Sequence, residues 1–335
     1  MRNIVNINRK WAFRKNGALP ETFPTEWDIV NLPHTWNNID GQDGGNDYWR
    51  GTGLYVRTLN KADLPEAGAY FLEINGANSS ADVYLNGEKL AHHDGGYSTW
   101  RVDLTAALQD ENLLAIAVDN ASNDHVYPQV ADFTFYGGLY RDVNIVCVPA
   151  THFDLSYYGG NGLCVTPDVS GRVVVETWLT GDAAGAAVRT TIRNAGGDIV
   201  AQASTDPGKV ELQVTNVHLW NGRKDPYLYT VEAELLQDGT VVDAVSRRFG
   251  FRSYKIDPDK GFILNGQSYP LHGVSRHQDG WQKGNAISKE DHIRDMDLIC
   301  EVGANTIRLA HYQHDQFFYD LCDERGMVVW AEIPY

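Results

Sequence analysis

Three short stretches near the end of this 335-residue sequence carry side chains suited to chemistry. The first is Arg276-His277-Gln278-Asp279. The second runs Arg308-Leu309-Ala310-His311-Tyr312-Gln313-His314, and the third is marked by Glu332. A guanidinium, several imidazoles and a carboxylate can together bind a polar substrate, hold charge and move protons. Taken singly, Arg308 and Glu332 could pair at the end of a sheet, and the histidines could cap loops. Three such clusters at three successive strand ends point instead to a site, because βα units gather functional side chains where their strands finish.

The elements that would position these groups are legible from residue 254 onward. Tyr269-Pro270-Leu271-His272-Gly273-Val274, Asn305-Thr306-Ile307-Arg308-Leu309 and Met327-Val328-Val329-Trp330 read as strands. Ser288 followed by Asp291 is a capping-box pattern that starts a helix. In that helix Ile293, Met296, Ile299 and Val302 recur at helical spacing before Gly303. Phe317, Phe318, Leu321 and Cys322 mark a second helix closed by Gly326. The order β-α-β-α-β predicts parallel strands with right-handed crossovers.

Upstream the texture is all β. Residues 1–150 show short strand-like runs, among them Tyr70 to Ile74, Leu113 to Val118 and Arg141 to Val146, punctuated by Gly, Asn and Asp. Asn86-Gly87 is a type I′ hairpin signal. This spacing predicts a jelly roll or sandwich. Residues 151–253 have the length and strand count of an immunoglobulin-like sandwich, without a Cys-Trp-Cys hallmark. Residues 254–335 then read as the first βαβαβ portion of a larger unit. The expected fold class is therefore mainly β: a jelly roll, a sandwich, and the start of a parallel α/β unit. Three parallel strands cannot close a barrel, so the chain is expected to be a fragment. Its last segment is expected to be disordered or to self-associate into a homo-oligomer through unpaired edges.

Composition narrows the partners. Lys plus Arg is 28 and Asp plus Glu is 44, giving a net charge of −16. That surface disfavours nucleic acid and anionic membranes and suits a neutral ligand. No apolar run approaches the ~18 residues of a membrane span. The N-terminus lacks an apolar signal core, so either the protein is not exported or a signal has been removed, which leaves cytoplasm and periplasm open. Cys147, Cys164, Cys300 and Cys322 are scattered, which predicts free thiols over a disulfide framework or a zinc site. No spacing argues for a metal.

The stretch Asn305 to Tyr312, with Phe317-Phe318, Asp323 and Gly326 to Trp330, resembles the first signature of glycoside hydrolase family 2. Leu309 and Gln313 depart from its usual pattern, which has a small residue and a proline there. Gly138-Leu139-Tyr140-Arg141-Asp142-Val143, Leu219-Trp220, Pro226 to Tyr229 and Phe249 to Arg252 agree with it, so the resemblance covers essentially the whole chain. It is most similar to the β-galactosidases of the family.

The resemblance implies a galactose-binding-like jelly roll, an immunoglobulin-like sandwich and a (β/α)₈ TIM barrel. It also implies a retaining mechanism with two carboxylates ~5–5.5 Å apart. Both catalytic glutamates would fall on later barrel strands, so no catalytic residue is assigned within this chain. What the resemblance leaves here is substrate binding. His311 would hydrogen-bond sugar hydroxyls, Arg308 would lie beside the nucleophile, and Asp132, six residues before Gly138, would reach across to the sugar. His277 and Glu332 would line the same mouth. Asp47 and Asn46, in a Gly-rich loop, are weaker candidates, and Trp281 and Trp49 could stack on sugar faces. The expected ligand is a β-galactoside or a related glucuronide or mannoside. The alternative is that the chain by itself acts as a non-catalytic carbohydrate-binding or assembly module. No cofactor is evident; Mg²⁺ or Na⁺ known in the family would have mostly downstream ligands.

Overall fold

In the computed structural model, which describes residues 1–42, 47–128 and 130–334, the chain builds three successive hydrophobic cores. The first lies between a four-stranded and a six-stranded antiparallel sheet. The strand Glu111–Asp119 shows how alternation makes it. Leu114, Ile116 and Val118 are fully buried against that core, while Leu113, Ala115 and Ala117 pack on the sheet's other face beside Phe23, Trp27 and Tyr84. Asn86 and Gly87 both take positive φ (54° and 84°) between strands Ser80–Leu85 and Glu88–Asp94. That is the I′ geometry, whose twist matches the flanking strands.

The second core lies between a three-stranded and a four-stranded sheet, a strand count that matches an immunoglobulin-like sandwich. Arg2 stitches it to the jelly roll, donating to the Phe153 carbonyl at 2.7 Å and to the fully buried Asp243 at 2.9 Å.

The third core is the α/β segment. Its first strand, Gly273–Arg276, pairs in parallel with its second, Thr306–Leu309, which pairs in parallel with its third, Val328–Ala331. Helix α1 (Lys289–Glu301) connects the first and second, and helix α2 (Gln316–Arg325) the second and third. Ser288 and Asp291 form the reciprocal capping box expected of them, and Gly326 closes α2 at φ 72°.

Two local expectations change. The first parallel strand begins only at Gly273, because Pro270 has no N–H to give a ladder. The Asn305 side chain serves that stretch instead, accepting from the His272 N–H at 2.8 Å and donating to the Pro270 carbonyl at 2.7 Å. On α1, Met296 and Ile299 are buried, but Ile293 and Val302 are 37% and 72% exposed. The apolar stripe read from the sequence is wider than the surface it packs against.

Trp220 of the sandwich donates its indole N–H to the Asp323 carbonyl at 2.9 Å, and a Cβ on Gly326 would lie 2.2 Å from the Gly222 carbonyl oxygen. The sandwich therefore grips the end of α2 directly. All four cysteines are free, two buried and two half-buried. Among the described residues no helix is long and apolar enough to cross a membrane.

Candidate active site

The parallel register brings the end of the second strand beside the end of the third, with Arg308 opposite Trp330 and Leu309 opposite Ala331. Arg308 reaches over that edge. Its Nε donates to Glu332 Oε1 at 2.6 Å and its Nη2 to Oε2 at 3.3 Å, a two-armed contact. The guanidinium holds the Glu332 carboxyl below the usual glutamate range.

His311 completes a triangle. Its Nδ1 lies 3.2 Å from both Arg308 Nη2 and Glu332 Oε2. A bare Nδ1 accepts from the arginine, and a protonated one donates to the glutamate, so the ring is held in either state. Its Nε2 is left facing the loop 130–133 of the jelly roll, where Asp132 Oδ1 stands 3.9 Å away. That gap is too long for a hydrogen bond. The Asp132 side chain is 93% exposed. Between these groups opens a cleft of about 540 Å³, walled by Asp132, Phe133, Arg308, His311 and Glu332 among others. Acceptors and a fixed imidazole around an open cleft suit a polyhydroxylated ligand.

The support beneath His311 is aromatic on one side and polar on the other. Phe133 stacks on the His311 ring (5.6 Å, 18°) and meets Tyr312 edge-on at 5.4 Å. His277 lies edge-on to His311 at 5.1 Å, and burial lowers its pKa, which favours the neutral ring. Beneath the loop, the buried Arg276 donates to His314 Nδ1 at 3.1 Å, His292 Nδ1 at 3.2 Å and Asp295 at 2.7 Å. Its guanidinium lies 3.9 Å over the Phe318 ring. With Nδ1 occupied as an acceptor, His314 carries its proton on Nε2 and donates to the Ala310 carbonyl at 3.1 Å. The residue before His311 is thereby fixed.

Of the groups singled out in the sequence, Asp132, Arg308, His311 and Glu332 meet at the cleft, and His277 packs behind it. Asp47 is exposed and does not line the cleft; Asp40 is the carboxylate that orders this region, accepting from the Trp49 N–H at 3.0 Å. Asn46 lies outside the described residues. Trp49 is half-buried and packs edge-on against Trp36 at 5.5 Å, on the margin of the jelly-roll core. Trp281 is 73% exposed. Phe133 escaped the sequence reading, and its one signal was adjacency to Asp132.

Three sequential family models match the chain. Residues 46–134 match the glycosyl hydrolase 2 galactose-binding domain-like model, 164–252 the glycosyl hydrolases family 2 model, and 256–335 that family's TIM barrel domain. The chain belongs to glycosyl hydrolase family 2. It is 35% identical to a β-glucuronidase of Bacteroides fragilis, covering 100% of this chain and 50% of that protein. It is 26% identical to a β-galactosidase of Thermoanaerobacter pseudethanolicus, over 99% and 47%. Among solved structures, an FMN-binding β-glucuronidase from Faecalibacterium prausnitzii L2-6 superposes with a TM-score of 0.93 at 44% identity, covering 100% of this chain and 52% of that one. The chain thus spans about half the length of these relatives.

Proposed function

We propose that this chain supplies the sugar cradle of a retaining family 2 β-glycosidase that acts on β-D-glucuronides. The observation that carries the glycosidase reading is the convergence of Arg308, Glu332, His311 and Asp132 on one cleft from two domains. Asp132 and His311 would bind glycone hydroxyls, and Arg308 would hold fixed positive charge beside a nucleophilic carboxylate. The paired carboxylates that break the bond would come from barrel strands outside these 335 residues, with divisions between the three domains near residues 150 and 253. The glycone follows the names borne by relatives at 44% and 35% identity, both β-glucuronidases.

A β-galactoside is the second reading, and the distribution of charge favours it. The cleft's arginine is already matched by Glu332, and the chain carries a net charge of −16, so a neutral glycone meets less repulsion than a carboxylate. β-Mannosides are the third glycone to test.

Calorimetric titration of the chain with D-glucarolactone and D-galactonolactone separates the two readings, alongside a hydrolysis screen on aryl β-glucuronide, β-galactoside and β-mannoside. Tighter glucarolactone binding without turnover is expected. Turnover by this chain would refute the placement of the catalytic pair elsewhere, and silence towards both lactones would refute the cradle.

A further inference from the structure

Arg141 follows the jelly roll's segment Phe135 to Tyr140, and its side chain is 96% buried. It holds four acceptors. Nη1 donates to the carbonyls of Tyr97 at 2.8 Å and Asn75 at 3.2 Å, both in the jelly roll. Nη2 donates across the seam to the Gln313 carbonyl at 2.7 Å and to Gln278 Oε1 at 3.1 Å. Gln278 Oε1 also accepts the Asp315 N–H at 2.7 Å, joining the two strand-end loops to each other. Gln278 adjoins His277, and Gln313 follows His311 by two positions. Beside this clamp Tyr97 of the jelly roll stacks flat on Tyr312 (4.3 Å, 10°).

We propose that Arg141 is a positioning residue for the cradle: it fixes the loops that carry His277 and His311 against the loop that carries Asp132. The proposal rests on the cradle reading given above for its functional meaning. Asp132 precedes Arg141 by nine positions in the same domain, whereas both histidines belong to the α/β segment. Among the described residues no disulfide ties the two bodies together near the cleft. A planar fork with fixed donors sets their spacing, because it satisfies backbone carbonyls of one body and loop acceptors of the other in a single geometry. A lysine cannot reproduce four contacts from one flexible ammonium.

The test uses Arg141→Lys and, in case that variant fails to fold, Gln278→Met, which removes one arm of the clamp and leaves the arginine in place. Three quantities are read: melting temperature, imidazole NMR resonances, and affinity for whichever lactone the wild-type chain binds. His218, stacked on Tyr227 in the sandwich, is the remote control. Shifted His277 and His311 resonances are expected, with His218 unmoved. Lactone affinity should fall about tenfold or more, since displacements near 1 Å weaken such sites to that degree. Unmoved His277 and His311 resonances would overturn the proposal even if the melting temperature drops, because a purely structural arginine lowers stability without reorienting the cradle. Wild-type silence towards both lactones would instead remove the cradle reading, and the histidine resonances would still decide the clamp.

Discussion

Arg308 and Glu332 meet at 2.6 Å across neighbouring parallel strands, and the same carboxylate closes on His311 at 3.2 Å. One acidic group therefore sets both the charge and the ring orientation of the cleft. Glu332→Gln keeps the shape and removes the charge. Because the Arg308 side chain is 42% exposed, the stability cost should stay within about 1 kcal/mol. Lactone affinity should fall by roughly tenfold, about 1.4 kcal/mol. Calorimetry and thermal melts on the same variant check both halves, and an unchanged affinity would show that Glu332 only seals the sheet end.

Acid should unfold the chain through the buried histidines beneath the cleft. Burial, and then Arg276, lower His292 to about 3 and His314 to about 2. Both are neutral when folded, and the unfolded chain takes up protons near pH 6.5. The unfolded state thus binds more protons as pH falls through and below 6.5, and stability declines by up to about 1.4 kcal/mol per pH unit for each group until the folded values are reached. Urea melts between pH 7.5 and 4 should show this slope. His314→Gln should flatten it, whereas an unaltered slope would place the acid sensitivity elsewhere.

Gly326 is tied to its residue type twice, by φ 72° and by the Gly222 carbonyl that a Cβ would strike. Gly326→Ala should cost at least about 1–2 kcal/mol, because strain and displacement of the sandwich add. Limited proteolysis should then cut faster between the sandwich and α1, while the jelly roll stays protected. Equal cutting rates in variant and wild type would contradict that.

The α/β segment leaves Leu298, Val302, Trp330 and Ile333 54%, 72%, 67% and 73% exposed. Exposed apolar surface, in a segment whose three-stranded parallel sheet has open edges among the described residues, favours association. Sedimentation velocity should show concentration-dependent self-association, and Val302→Lys with Trp330→Lys should weaken it. A monomer at all accessible concentrations would refute the expectation.

Much of this was open to reading from local pattern. The capping box at Ser288, the turn at Asn86-Gly87 and the stop at Gly326 depend on a few neighbouring residues and the backbone geometry each permits. Strand ends rich in Arg, His and Glu located the cleft for the same reason, since strand order and period are encoded nearby.

Tertiary structure alone decided which candidates meet. Asp132 lies 179 positions from His311, and nothing in either neighbourhood encodes their 3.9 Å approach. Asp47, a weaker candidate in sequence, is exposed and does not line the cleft. The Phe133 stack, the Arg276 network and the Arg141 clamp were equally hidden. Each depends on how separately folded cores dock, and docking is fixed by side-chain shape and buried hydrogen bonds between residues far apart in the chain.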